Sequence, residues 1–97
     1  MASEHDPQEV RFTEHAEEQL VLRELDRAQV IAVALAPEQV VYPAGKPPIA
    51  QSRVTFKGKP ALLRVAFTDQ DNTRLIITVY PTTQFERYWN KETDNAD

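Results

Sequence analysis

Pro37 separates two stretches whose apolar residues repeat with different periods, and that change limits the folds open to the chain. Before Pro37 the apolar residues recur every three or four positions; after it they alternate. Thr13 carries the hydroxyl of a helix N-cap. Glu14, Glu17 and Glu18 follow where the positive end of a helix dipole favours anions, so a helix is expected from Thr13 to about Leu25. Ala16 with Leu20, and Leu22 with Leu25, give it a modest apolar stripe. Asp26 and Gln29 form a capping-box pattern, with Leu25 and Val30 in the positions of a hydrophobic staple. A second helix is therefore expected over 27–36, rich in Val30, Ile31, Val33 and Leu35 and ended by Pro37.

The alternating region reads as strands at 39–42, 53–57, 61–68 and 73–80. A loop at 44–49 carries Gly45, Pro47 and Pro48, and turns are expected at Gly58-Lys59-Pro60 and at Asp69-Gln70-Asp71-Asn72. Val54 and Phe56, then Leu63, Val65 and Phe67, then Leu75, Ile77 and Val79 form the expected core face. Arg64, Ile76, Thr78 and Tyr80 fall on the other. Phe85, Tyr88 and Trp89, spaced i, i+3 and i+4, suggest a short helical turn that docks aromatics, or a partner-binding patch. The expected fold class is α+β, with two N-terminal helices on one face of a four-stranded, mainly antiparallel sheet. With 97 residues there is material for a single core, placed at 12–89 between flexible tails at 1–11 and 90–97.

The absence of cysteine excludes disulfides and thiolate metal sites. Two histidines without a clustered carboxylate give no metal site, and nothing calls for a cofactor. There is no Gly-rich phosphate loop and no nucleophilic serine motif. No apolar run is long enough to span a membrane, and the acidic start is unlike a signal peptide, so a cytoplasmic protein with no membrane partner is expected.

Charge is unevenly distributed. Residues 39–68 hold five bases (Lys46, Arg53, Lys57, Lys59, Arg64) and no acid, within a chain of formal net charge −4. Residues 1–26 hold eight acids against two bases, and 69–97 six against three. A basic middle between acidic ends points to a face that receives an anion, although alternating polar residues are also normal on any solvated sheet face. A turn spanning Lys57 to Pro60 would set Phe56 opposite Ala61, Val54 opposite Leu63 and Arg53 opposite Arg64. A turn centred near Asp71 would set Phe67 opposite Leu75 and Arg64 opposite Thr78. Arg53, Arg64 and Thr78 would then form a row, with Lys57 and Tyr80 near its ends, suited to a phosphate. His15 shares a helical stripe with Gln19 and Arg23; it reads either as a surface histidine or as an acid–base group.

Phe12-Thr13-Glu14-His15-Ala16, Arg23-Glu24-Leu25-Asp26, Ala36-Pro37-Glu38 and the closing Ile76-Ile77-Thr78-Val79-Tyr80-Pro81-Thr82-Thr83 with Tyr88-Trp89 resemble the domain of unknown function 4258 family. The likeness covers about residues 12–89. That family is generally placed near the RelE/ParE-like toxins and related small ribonucleases. The resemblance implies a toxin-like protein acting on RNA, neutralised by a small antitoxin. Two positions depart from the family: Gln19 stands where an arginine is usual, and Glu24 where a glycine is common. Candidate catalytic residues are His15, Arg64 and Tyr80; candidate anion-binding residues are Arg23, Arg53, Lys57, Lys59 and Thr78. The alternative reading is a non-catalytic module on the same scaffold that binds an acidic partner, and a weaker one is self-association through the aromatic cluster.

Overall fold

The computed structural model describes residues 9–90. His5 and most of both expected tails lie outside them. The elements run β1 (Glu9–Phe12), α1 (Glu14–Leu22), α2 (Arg27–Leu35), β2 (Gln39–Val41), β3 (Ile49–Phe56), β4 (Lys59–Gln70), β5 (Thr73–Thr82) and α3 (Phe85–Tyr88). The class is α+β, with a mixed sheet of five strands in the order β1-β5-β4-β3-β2. The fifth strand corrects the expected four. Residues 9–11, expected in the tail, pair in parallel with β5, Glu9 beside Thr73 and Phe12 beside Ile76. This short strand escapes periodicity because a four-residue edge carries only Val10 and Phe12 as its buried-side pair. No helix among the described residues is long and apolar enough to cross a membrane.

Both helices start where the caps are expected. The Thr13 hydroxyl accepts from Ala16 N at 3.1 Å, and the Asp26 carboxylate accepts from Ala28 N at 3.1 Å. Helix α1 ends in a Schellman arrangement, with Leu25 N donating to Leu20 O at 2.9 Å and Glu24 N to Val21 O at 3.2 Å. Glu24 takes the left-handed conformation this requires, at φ 56°. The position favours glycine on backbone grounds, and Glu24 occupies it under strain. Ala16 and Leu20 of α1 and Val30, Val33 and Ala34 of α2 form one buried cluster with Ala50, Leu63, Val65, Phe67, Ile76 and Val79 of the sheet. Leu25 and Val30, the expected staple, both belong to that packing.

Two features overturn the expected register. The β3–β4 hairpin closes through two residues, Lys57 at φ 51° and Gly58 at φ 78°, rather than through four. Paired positive φ values are those of a type I′ turn, whose twist matches that of the flanking strands. Phe56 therefore faces Lys59, Val54 faces Ala61, Arg53 faces Leu62, and Arg64 faces Gln51. Pro60 belongs to β4. It sits next to the closing pair, where its missing N–H points away from β3 and past Leu62, the last residue that β5 pairs. The second feature is a bulge in β5. Ala66 faces Thr78 but Phe67 faces Ile76, so Ile77 is an extra residue. The inward side changes there: Ile76 and Val79 are buried, while Leu75 and Ile77 are half-buried. The bulge also serves the N-terminus, because Thr13 N donates to Ile76 O at 3.0 Å and the Thr13 hydroxyl to Ile77 O at 3.1 Å.

Replacing Ile76 by alanine is expected to cost about 2–5 kcal/mol and Ile77→Ala much less, the reverse of the order an uninterrupted strand would give. Glu24→Gly should stabilise by about 1 kcal/mol through relief of its backbone strain. Urea unfolding midpoints measure both.

Candidate anion site on the sheet

The strand pairing assembles a polar row on the face away from α1 and α2. Gln39 faces Gln51, Gln51 faces Arg64, and Arg64 faces Tyr80, spanning β2, β3, β4 and β5. Gln51 Nε2 donates to Gln39 Oε1 at 2.7 Å, and Arg64 Nε donates to Gln51 Oε1 at 2.9 Å. Arg64 Nη1 donates to the Tyr80 hydroxyl. A buried amide row costs little when each group finds a partner, and among the described residues every buried side-chain N or O atom has one.

The chain after β5 closes over this row. Gln51 Nε2 also donates to Tyr88 O at 3.0 Å, and Gln39 exchanges hydrogen bonds with the Asn90 backbone, at 2.7 Å to its O and 3.0 Å from its N. Asn90, expected in the tail, is thus tied to β2. The Tyr88 ring lies 4.1 Å from Arg64 Cζ, and the Tyr80 and Tyr88 rings meet edge to face with centroids 6.4 Å apart. The Trp89 ring lies 4.5 Å from Arg53 Cζ. The aromatic cluster therefore packs on the sheet through two guanidinium groups.

Arg64 is only 6% exposed. Its charge meets the Gln51 amide oxygen, the Tyr80 hydroxyl and two aromatic faces, and among the described residues it forms no ion pair. A buried guanidinium held by neutral groups retains its field for an arriving anion.

The expected row of Arg53, Arg64 and Thr78 does not form. Arg53 lies two residues along β3 from Gln51, and Glu38 claims it: the carboxylate takes Nη2 at 2.8 Å, Nε at 3.2 Å and the Arg53 backbone N at 2.7 Å. These bonds, the guanidinium first and the backbone N–H second, hold the Glu38 carboxyl below its ordinary value of 4.5. Lys57 sits at the hairpin tip 3.4 Å from Glu24, an exposed pair, and Lys59 is exposed beside it. Arg23 stays on α1 and donates from Nε to Gln19 Oε1. Two predicted residues do meet elsewhere: His15 Nε2 and Thr78 Oγ1 are 3.3 Å apart. Thr78 lies two residues before Tyr80 on β5, so a strip runs from His15 through Thr78 and Tyr80 to Arg64. The structure joins these four as two contacting pairs along one strand, His15 with Thr78 and Arg64 with Tyr80, and leaves Arg23, Lys57 and Lys59 at the periphery.

Gln39, Gln51, Tyr88 and Glu38 were not anticipated as site residues. Placing the start of β3 at Arg53 concealed Gln51. The visible signal was a glutamine at an alternate position among Ile49, Ala50 and Val54. Comparison of the chain with known families, with curated proteins and with solved structures finds no match.

The Glu38 carboxyl titrates below its ordinary value when folded, so its contribution is complete above about pH 5 and fades as pH falls through the lowered value. Wild type is expected to exceed Glu38→Gln in stability by at most about 1 kcal/mol at neutral pH, since the pair is partly exposed. The gap should shrink toward pH 3. Urea unfolding of both proteins across that range is the check.

Proposed function

We propose that the protein is a toxin-like, metal-independent ribonuclease that holds an RNA phosphate at Tyr80, with the buried Arg64 guanidinium acting through the Tyr80 hydroxyl. One observation carries this reading: a guanidinium 6% exposed, already oriented by the Gln51 amide and the Tyr80 hydroxyl and, among the described residues, in no ion pair. Such a charge, fixed before substrate arrives, stabilises the extra negative charge of a pentavalent phosphorane without reorganisation. Attack of a ribose 2′-oxygen on phosphorus forms one P–O bond and breaks that to the 5′-oxygen. A neutral His15 imidazole takes the 2′ proton, and the Tyr80 hydroxyl supplies one to the leaving oxygen. Thr78, at 3.3 Å from His15 Nε2, orients the ring. Lys57 and Lys59 on the hairpin tip steer the polyanion. In this reading the chain is kin to the RelE/ParE-like toxins, and a small antitoxin is its regulating partner.

A second reading places the same face in contact with an acidic partner and assigns no catalysis. It is favoured by Arg53 and Lys57 already holding carboxylates, since a partner's acids would replace Glu38 and Glu24 in kind.

Purified protein is expected to cut single-stranded RNA in the presence of a chelator. Tyr80→Phe and His15→Ala should each slow cutting by about 100-fold or more. Arg64→Lys, which keeps the charge but loses the fork, should slow it while leaving the protein folded by circular dichroism. RNA left intact at high protein concentration, with tight binding of a poly-glutamate peptide instead, would decide for the second reading.

A further inference from the structure

The outward side of α1 has no role in the core or in the sheet face. Val21 is 80% exposed and Leu22 74%, adjacent on a helix whose buried residues are Ala16 and Leu20. A shallow cavity of about 590 Å³ opens beside them, lined by Glu14, Glu17, Glu18, Gln19, Val21 and Leu22. Helical geometry explains the grouping: Glu14, Glu18 and Leu22 follow one another at i+4, as do Glu17 and Val21. The first turn carries Glu14 and Glu17, and the last turn carries no base. Among the described residues Glu17 pairs with Arg27 of α2, and neither Glu14 nor Glu18 forms an ion pair, so both exposed carboxylates face solvent. Scattered exposed leucines are ordinary on a protein surface, whereas two adjacent apolar side chains in a hollow rimmed by unbalanced acids form a directional patch.

We infer that this face of α1 docks a basic amphipathic segment of a partner protein, whose apolar side covers Val21 and Leu22 while its Lys or Arg residues meet Glu14 and Glu18. Charge complementarity selects the occupant. A neutral helix would gain only the burial of two side chains, and an acidic one would be repelled. The surface carries charge opposite to the Arg64 face and lies on the helix layer, so its occupancy does not depend on the ribonuclease reading.

The test uses the full chain and a fluorescein-labelled synthetic helix with leucine on one side and lysine on the other, against a counterpart with glutamate in place of lysine, read by fluorescence anisotropy. The lysine peptide is expected to bind, more weakly as salt rises, and the glutamate peptide not to bind. Val21→Ser/Leu22→Ser and Glu14→Gln/Glu18→Gln should each weaken binding by about tenfold or more. Asp71→Asn/Glu86→Gln, which remove the same charge elsewhere, should leave it unchanged. All three double variants change exposed side chains, and circular dichroism verifies their fold. Equal binding of the two peptides, or equal losses from the α1 and the distant acid variants, would overturn the inference. So would a concentration-dependent dimer in light scattering that Leu22→Asp dissociates, because the occupant would then be a second copy.

Discussion

The site depends on the two-residue turn at Lys57-Gly58. Positive φ at both residues sets the register of β3 against β4, and a register once set fixes every cross-strand neighbour along eight residue pairs. Arg64 meets Gln51 rather than Arg53 for that reason alone. With two arginines opposed, the sheet would carry a repulsion only an external anion could relieve. With glutamine opposite arginine, the guanidinium is held internally and Arg53 is released to Glu38. One turn therefore divides two cations between different tasks.

Burying Arg64 without a carboxylate is costly in itself, and the structure offsets that cost with geometry rather than with countercharge. The amide row orients the guanidinium, Tyr80 satisfies one end of it, and Tyr88 supplies an electron-rich face at 4.1 Å. The same contacts fasten the chain after β5 to the sheet through Tyr88 O and Asn90. Site and closure are thus one network, in which Gln51 bonds both the arginine and Tyr88 O. Polar networks of this kind specify a single arrangement more than they add stability.

Much of the scaffold was legible. Thr13 and Asp26 announced both helix starts because an N-cap needs only a short polar side chain next to an apolar repeat. Pro37 marked the change of period, and Leu63, Val65 and Phe67 identified the inward side of β4. What escaped depended on backbone conformation. Nothing in Lys57-Gly58-Lys59-Pro60 states whether two or four residues turn, and Pro60 misled because proline more often leaves a strand than enters one. The bulge at Ile77 was hidden for a similar reason: Leu75, Ile76, Ile77 and Val79 are all apolar, so alternation cannot tell which of them turns inward. The site was legible as residue types, arginine, tyrosine, threonine and histidine, but not as neighbours.

The parallel pairing of β1 with β5 has a consequence for synthesis. Glu9 and Thr73 are neighbours in the sheet yet emerge from the ribosome 64 positions apart. Helix α1 packs mainly on β5, whereas α2 packs on β4 and β3, so α1 lacks most of the surface that covers it until the last strand is made. Closure of the sheet therefore waits on a contact between the first and last strands, and a product truncated before β5 would leave α1 uncovered, a ready client for chaperones and proteases.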